Sequence, residues 1–261
     1  MLREEANLIA CEDTRQTRKL LDHYDIRKPL ISYHEHNEST RAPDLIKNLL
    51  GGETVALVSD AGTPLISDPG YRLVALAIKE QITVVPVPGV SAVMAALSAS
   101  GLGTDEFRFK GFLPQKRAAR RHFLETLQTE TATVIVYESP HRILETLEDF
   151  SSILPQRPLV LARELTKVHE EFLRGSAEEI LEILKSRMAV KGEITLLIGK
   201  GNGEQQEGDP VYEVTRLQSS GIERMEAIKT VARRFGLGKR EIYRMMGRGP
   251  EDERPQNTDK A

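Results

Sequence analysis

The sequence predicts a mixed α/β protein of two domains, with a ligand cleft between them and a small helical module at the C-terminal end. Three observations predict it. Short apolar or β-branched runs alternate with amphipathic runs from Asn7 to Ile198, the pattern of strands joined by helices. Loops rich in Gly, Pro, Asp and Ser follow several of these strands, at the edge where open α/β sheets bind ligands. A polar, Gly-rich stretch, Gly201 to Pro210, separates this body from a basic segment.

Asn7 to Cys11 reads as a buried strand and Thr14 to Tyr24 as a helix. Leu30 to Tyr33 is a short strand, and Ser39 to Leu50 a helix with a hydroxyl residue at its start. Thr54 to Val58 is a strand, Tyr71 to Lys79 a helix and Thr83 to Val87 a strand that closes the first α/β unit. Val90 to Ala99 is a helix of small residues. Arg108 to Phe112, Thr133 to Tyr137, Leu159 to Ala162 and Glu193 to Ile198 are strands of a second sheet. Helices at Lys116 to Leu127, His141 to Phe150 and Ala177 to Arg187 join them. Ile222 to Phe235 is amphipathic, Gly236-Leu237-Gly238 turns, and Lys239 to Met246 begins a second helix. That layout is a helix-turn-helix or a plain helical hairpin.

The boundaries are therefore a first α/β domain over 1–88, a second over 89–200, a linker at 201–210, a basic helical module over 211–248 and a polar, disordered tail over 249–261. The chain of 261 residues, 39% apolar with 19 Gly, suffices for a sizeable core. No stretch approaches the roughly 20 apolar residues of a membrane span. One cysteine, Cys11, excludes an intrachain disulfide and points to a reducing compartment. Trp is absent, so stacking platforms for single strands are scarce. The net charge is −3, but 211–248 carries nine Lys/Arg against four Asp/Glu, a net of +5 that leaves −8 elsewhere. A basic module on an acidic body points to a polyanionic partner.

The loop from Ser59 to Gly70 holds two Asp, two Pro and two Gly after an apolar strand. Gly62 permits close backbone approach, Pro64 stiffens the loop, and Asp60 suits hydrogen bonds from a ribose or an amino group. The simpler alternative is an ordinary turn with Asp68 as a helix N-cap. Ser91 stands at a helix start, where a ligand oxygen is welcome. With Cys11 to Arg15 and Tyr137 to Arg142, these loops gather at one cleft if the strands run parallel. His34 and His36 share a strand face, but no third His or Cys is near and Cys11 is isolated, so no metal is expected. Lys116, Arg117, Arg120 and Arg121 form a basic run that serves either phosphate contact or a solvated helix face.

Six segments carry a resemblance. Ile9 to Arg15, Tyr33 to Glu38, Val58 to Gly70, Pro86 to Ala92, Gly111 to Pro114 and Tyr137 to Arg142 resemble the ribosomal RNA small-subunit methyltransferase I family, of the tetrapyrrole methylase superfamily. The likeness runs in order from Leu8 to Met246. It implies a two-domain tetrapyrrole-methylase-like fold with a cofactor cleft, S-adenosylmethionine as donor, and 2′-O-methylation of a cytidine in 16S rRNA near the decoding site. It also implies a cytoplasmic homodimer acting on 16S rRNA or the small ribosomal subunit. The family pattern opens with a further strand and loop, with Met1 to Ala6 matching only the end of the helix that follows. The resemblance thus implies a first domain lacking its first strand, as a start assigned too late would leave it.

By the same resemblance Asp60, Ala61, Gly62, Thr63, Ser91 and Ala92 hold the cofactor, with Tyr137 and Thr195 as further candidates. A base is to be chosen among Glu12, Asp13, Glu138, His141, Glu164 and Lys167, with Glu138, Glu12 and Lys167 foremost and Asp13 better read as a helix cap. Arg15, Arg142 and Arg163 are candidates for RNA phosphates, as are Lys239 and Arg240 on the last helix. A small-molecule methylase such as a tetrapyrrole methylase, or a non-catalytic RNA-binding protein, are the alternatives.

Overall fold

The computed structural model describes residues 2–201, 209–235 and 237–246. Most of the 201–210 linker, Gly236 of the expected turn and the 249–261 tail lie outside the described residues.

The first domain is a parallel sheet. Strand β1 (Leu8–Cys11) lies between β2 (Leu30–Ser32) and β3 (Val55–Val58). Helices α1 (Thr14–His23), α2 (Glu38–Leu50) and α3 (Tyr71–Lys79) connect and cover the strands. Alternation along β1 divides the layers, as the two-residue period of a strand requires. Ile9 packs with Leu21 of α1, whereas Ala10 packs with Leu45 of α2 and Leu73 and Ala77 of α3. Because all three strands are parallel, their C-terminal ends open on one edge.

The second domain begins with α4 (Ala92–Ser100), whose Ser91 cap accepts a hydrogen bond from Met94 N. Its sheet has the order β4 (Phe107–Phe112), β5 (Thr133–Glu138), β8 (Ile194–Ile198), β6 (Leu159–Arg163) and β7 (Glu171–Gly175). Strands β4 and β5 are parallel, while β8 runs antiparallel to both β5 and β6. Val134 and Val136 face the layer of α5 (Arg117–Thr126), α6 (Ile143–Ile153) and α7 (Ala177–Lys185). Ile135 and Tyr137 face α4 on the other side.

The terminal module is three helices, α8 (Pro210–Ser219), α9 (Arg224–Phe235) and α10 (Lys239–Met246), around Val214, Ala227, Ile228, Val231 and Ile242. Asp209 caps α8 through Val211 N, and Pro210 takes the first-turn position, where its missing N–H costs nothing. The expected pair of helices thus has a third packed against it, and the last two expected linker residues belong to its start.

Two further differences have physical reasons. Thr83 to Val87 forms no ladder among the described residues, and Val85 is 65% exposed. Valine content favours a strand only where a neighbour pairs with it. Conversely, β7 carries Glu171 and Arg174 about a Phe-Leu pair, yet it pairs residue for residue with β6 from Leu159↔Gly175 to Arg163↔Glu171.

Candidate functional site

A cavity of ≈ 200 Å³ lies where the two domains meet. The first domain lines it with Ala61, Gly62, Thr63, Ile66, Ser67 and Asp68 from the loop after β3. The second lines it with Ser91 and Ala92 at the start of α4, Phe112 at the end of β4, Tyr137 and Glu138 at the end of β5, and Glu193, Ile194 and Thr195 at the start of β8. Topology explains the last three. Strand β8 is antiparallel, so its beginning lies beside the ends of β5 and β6, with Tyr137 opposite Thr195 and Glu138 opposite Ile194.

The loop after β3 is held in an uncommon shape. Gly62 and Gly70 have positive φ, and so do Leu65 and Ser67, which are not glycines. Left-handed backbone at such residues costs of order 1–3 kcal/mol each and clusters at ligand clamps. The Thr63 hydroxyl donates to the Val90 carbonyl at 2.9 Å, which ties this loop to the turn before α4. Asp68 does not cap α3, since Gly70 holds the N-cap position without a side-chain bond. Its side chain lines the cavity instead.

Tyr137 stands against Phe109 and Phe112, edge to face, with ring centroids at 4.9 and 5.4 Å. Burial pushes its phenol up, and the charges of Asp68 and Glu193 push the same way. Burial also raises the Asp68 carboxyl, opposed by a hydrogen bond from Ser59 and reinforced by Asp60 and Glu193. Glu12, just past β1, is raised first by burial and then by Asp68 and Asp60.

The cavity thus unites seven of the eight expected cofactor residues: Ala61, Gly62, Thr63, Ser91, Ala92, Tyr137 and Thr195. Asp60 is exposed beside the cavity rather than on its lining, close enough to act on the charges of Glu12 and Asp68. Ile66, Ser67, Asp68, Phe112, Glu193 and Ile194 line the cavity beyond the residues the sequence marks. Asp68 and Phe112 stood in the resembling segments, whereas nothing local in the sequence marks Glu193, which owes its place to strand direction.

The expected bases separate. Glu138 is buried, and its oxygens are engaged. Oε1 accepts from Ser139 N at 2.6 Å and from the Arg142 guanidinium, and Oε2 accepts from the Thr146 hydroxyl at 2.7 Å. It is a strut between β5 and α6 rather than a free base. The Lys167 ammonium sits between Glu164 at 2.8 Å and Glu193 at 3.1 Å, which raises its pKa and keeps it protonated. Asp13 caps α1 and pairs with Arg15, which holds its carboxyl at about 2. Glu12 is exposed over much of its surface and only partly desolvated, lies outside the cavity lining, and has no ion-pair partner among the described residues.

The expected phosphate contacts also separate. Arg117, Arg120 and Arg121 converge on the buried Asp149 carboxylate of α6 at 3.1, 2.8 and 3.0 Å. Arg120 is 1% exposed and is thereby removed from any RNA surface. Arg142 is spent on Glu138, and Arg163 on Glu171. Lys116, Lys239 and Arg240 are exposed. His34 and His36 stack edge to face at 5.9 Å, and no group of three metal-binding side chains occurs among the described residues. No helix there is long and apolar enough to cross a membrane.

The family model for tetrapyrrole (corrin/porphyrin) methylases matches residues 2–181. A ribosomal RNA small subunit methyltransferase I of Halalkalibacterium halodurans is 50% identical over 92% of this chain and 85% of its own. The protein of that name from Synechocystis is 44% identical over 92% of this chain and 87% of its own. Among solved structures, a cobalt-precorrin-4 methyltransferase of cobalamin biosynthesis superposes with a TM-score of 0.53 at 16% identity, covering 76% of this chain and 85% of its own, a likeness of fold alone. The chain belongs to the tetrapyrrole methylase family and, within it, to the ribosomal RNA small subunit methyltransferase I family.

Proposed function

We propose that the protein transfers a methyl group from S-adenosylmethionine to the 2′-hydroxyl of a cytidine ribose in 16S rRNA near the decoding site, acting in the cytoplasm as a homodimer. The observation that carries the reading is the cavity between the domains, which brings together Ala61, Gly62, Thr63, Ser91, Ala92, Tyr137 and Thr195. The names of close relatives over 92% of the chain support the rRNA substrate, and the resembling segments support the cytidine and its place.

The cavity residues fit such a donor. Gly62, Ala61 and Ala92 leave room for close backbone approach, Tyr137, Phe112 and Ile66 supply apolar surface, and Asp68 supplies a counter-charge. When bound, S-adenosylmethionine supplies an electrophilic methyl group, which the ribose oxygen gains while the sulfur keeps the bonding pair and the hydroxyl proton leaves to a base. With the donor already activated, the protein contributes chiefly alignment. The tied loop at Thr63 and the capped start of α4 at Ser91 provide rigid placement.

Glu12 is the base in this reading. Its carboxyl, raised from its ordinary value by partial burial and by Asp68 and Asp60, and free of ion pairs among the described residues, accepts a proton more readily than a paired carboxylate would. Lys116, Lys239 and Arg240 provide exposed positive charge for phosphates. The test is transfer of labelled methyl to small subunits that lack the modification, with the labelled nucleotide mapped. Label on one cytidine ribose is the expected result; label elsewhere, or only on a tetrapyrrole, refutes it. Glu12→Gln is expected to lower kcat at least tenfold while cofactor affinity holds.

A further inference from the structure

Three buried or half-buried carboxylates elsewhere in this molecule are paired with arginines. Asp149 receives three guanidiniums, Glu171 two and Glu138 one. Asp68 is the exception at the cavity. It is half-buried, lines the wall and has no Lys, Arg or His partner among the described residues. The charges that act on it are Asp60 and Glu193, both of its own sign. Among the described residues its relief is a hydrogen bond from Ser59. Glu193 lines the same cavity from the other domain, partly neutralised by Lys167 at 3.1 Å. An unpaired, partly desolvated charge is costly, and a cationic ligand beside it removes that cost.

We infer that Asp68, supported by Glu193, makes the cavity select a cationic cofactor over its neutral spent form. The inference rests on the reading of S-adenosylmethionine as donor. Donor and product there differ by one methyl group and by the positive charge on sulfur. The α-ammonium and carboxylate are common to both, so only a group that senses the sulfur charge separates them. A wall holding two carboxylates, one with no counter-ion, is such a group. Loss of the charge on sulfur then weakens retention, and the product leaves more readily than the donor.

Calorimetric titration of the full chain tests this with three probes. S-adenosylmethionine and sinefungin carry a positive charge at the sulfur position, and S-adenosylhomocysteine does not. The wild-type protein is expected to bind both cations about tenfold more tightly than the neutral thioether, the effect of one partly screened charge pair. Asp68→Asn is expected to reduce that preference to within about threefold while thioether affinity changes less than that. Asp68→Glu restores the preference, and Glu193→Gln reduces it by a smaller factor because Lys167 already offsets that charge. An unchanged ratio in Asp68→Asn, or equal weakening of all three ligands, overturns the inference and leaves the cofactor reading standing. Failure of the wild type to bind any of the three overturns the cofactor reading, and the inference with it. A urea midpoint for Asp68→Asn equal to or above that of the wild type shows that the variant is folded, since the change removes an uncompensated charge.

Discussion

Two aspartates, Asp149 and Asp68, show how environment decides what a carboxylate does. Asp149 is fully buried, yet Arg117, Arg120 and Arg121 all reach it. Burial pushes its carboxyl up from 3.8, but the guanidinium hydrogen bonds outweigh burial and hold it below that value. A carboxyl depressed by folding contributes stability above its unfolded pKa and loses it as pH falls through the folded value. Removing one member of a buried pair costs about 3–5 kcal/mol, because the partner is left buried and charged. Asp149→Ala is therefore expected to lower the free energy of unfolding by that much at pH 7, since Arg120 keeps only Glu145 at 3.7 Å. The deficit is expected to shrink as pH falls below 3.8. Arg117→Ala, at an exposed position, is expected to cost less than about 1 kcal/mol. Urea denaturation at pH 7 and pH 3 measures all of this, and an Asp149→Ala loss below 1 kcal/mol would show that the arginines are paired elsewhere.

At the scale of the element, the loop from Ser59 to Gly70 fixes the cavity wall through its backbone. Gly70 has φ +142°, and a Cβ there would meet Leu57 at 2.7 Å and Leu65 at 2.8 Å. Gly70→Ala is expected to cost about 1–3 kcal/mol and to weaken cofactor binding, because the strained conformation and the contact must both yield. Gly62 has open space around it, so Gly62→Ala is expected to cost less than Gly70→Ala. Thermal unfolding of the pair checks the order, and equal losses of stability would refute the steric reason. This loop was legible in the sequence because its composition reports local geometry directly. Helix α3 was legible to the residue, since apolar spacing and Gly70 mark its ends. Thr83 to Val87, β7 and Glu193 were not, for one shared reason. Whether a run becomes a strand, and which end of it meets a site, depends on a neighbour distant in the chain. The basic run at Arg117 to Arg121 failed similarly, because its partner Asp149 lies on another helix.

For the whole molecule, charge is divided between an acidic body and a basic terminal module, with 9 Lys/Arg against 4 Asp/Glu in 211–248. The body holds the candidate cofactor cavity, and α10 displays Lys239 and Arg240 at its exposed start. Arg224 lies over the Tyr243 ring at 5.3 Å, which fastens α9 to α10 and keeps that start in place. The module has its own core around Ile228 and Val231, so surface changes on α10 leave the cavity undisturbed. Each phosphate neutralised by a cation contributes roughly 0.7–0.9 to the slope of log affinity against log salt. Replacing Lys239 and Arg240 together by Ala is expected to weaken binding to the small subunit or its RNA and to lower that slope by about 1.5. Affinity for S-adenosylmethionine is expected to stay the same, because no residue of the module lines the cavity among those described. Filter binding at several salt concentrations, beside calorimetry with the cofactor, separates the two. A salt slope unchanged by the double substitution would move the RNA contact off α10 and onto the body, where Lys116 remains exposed.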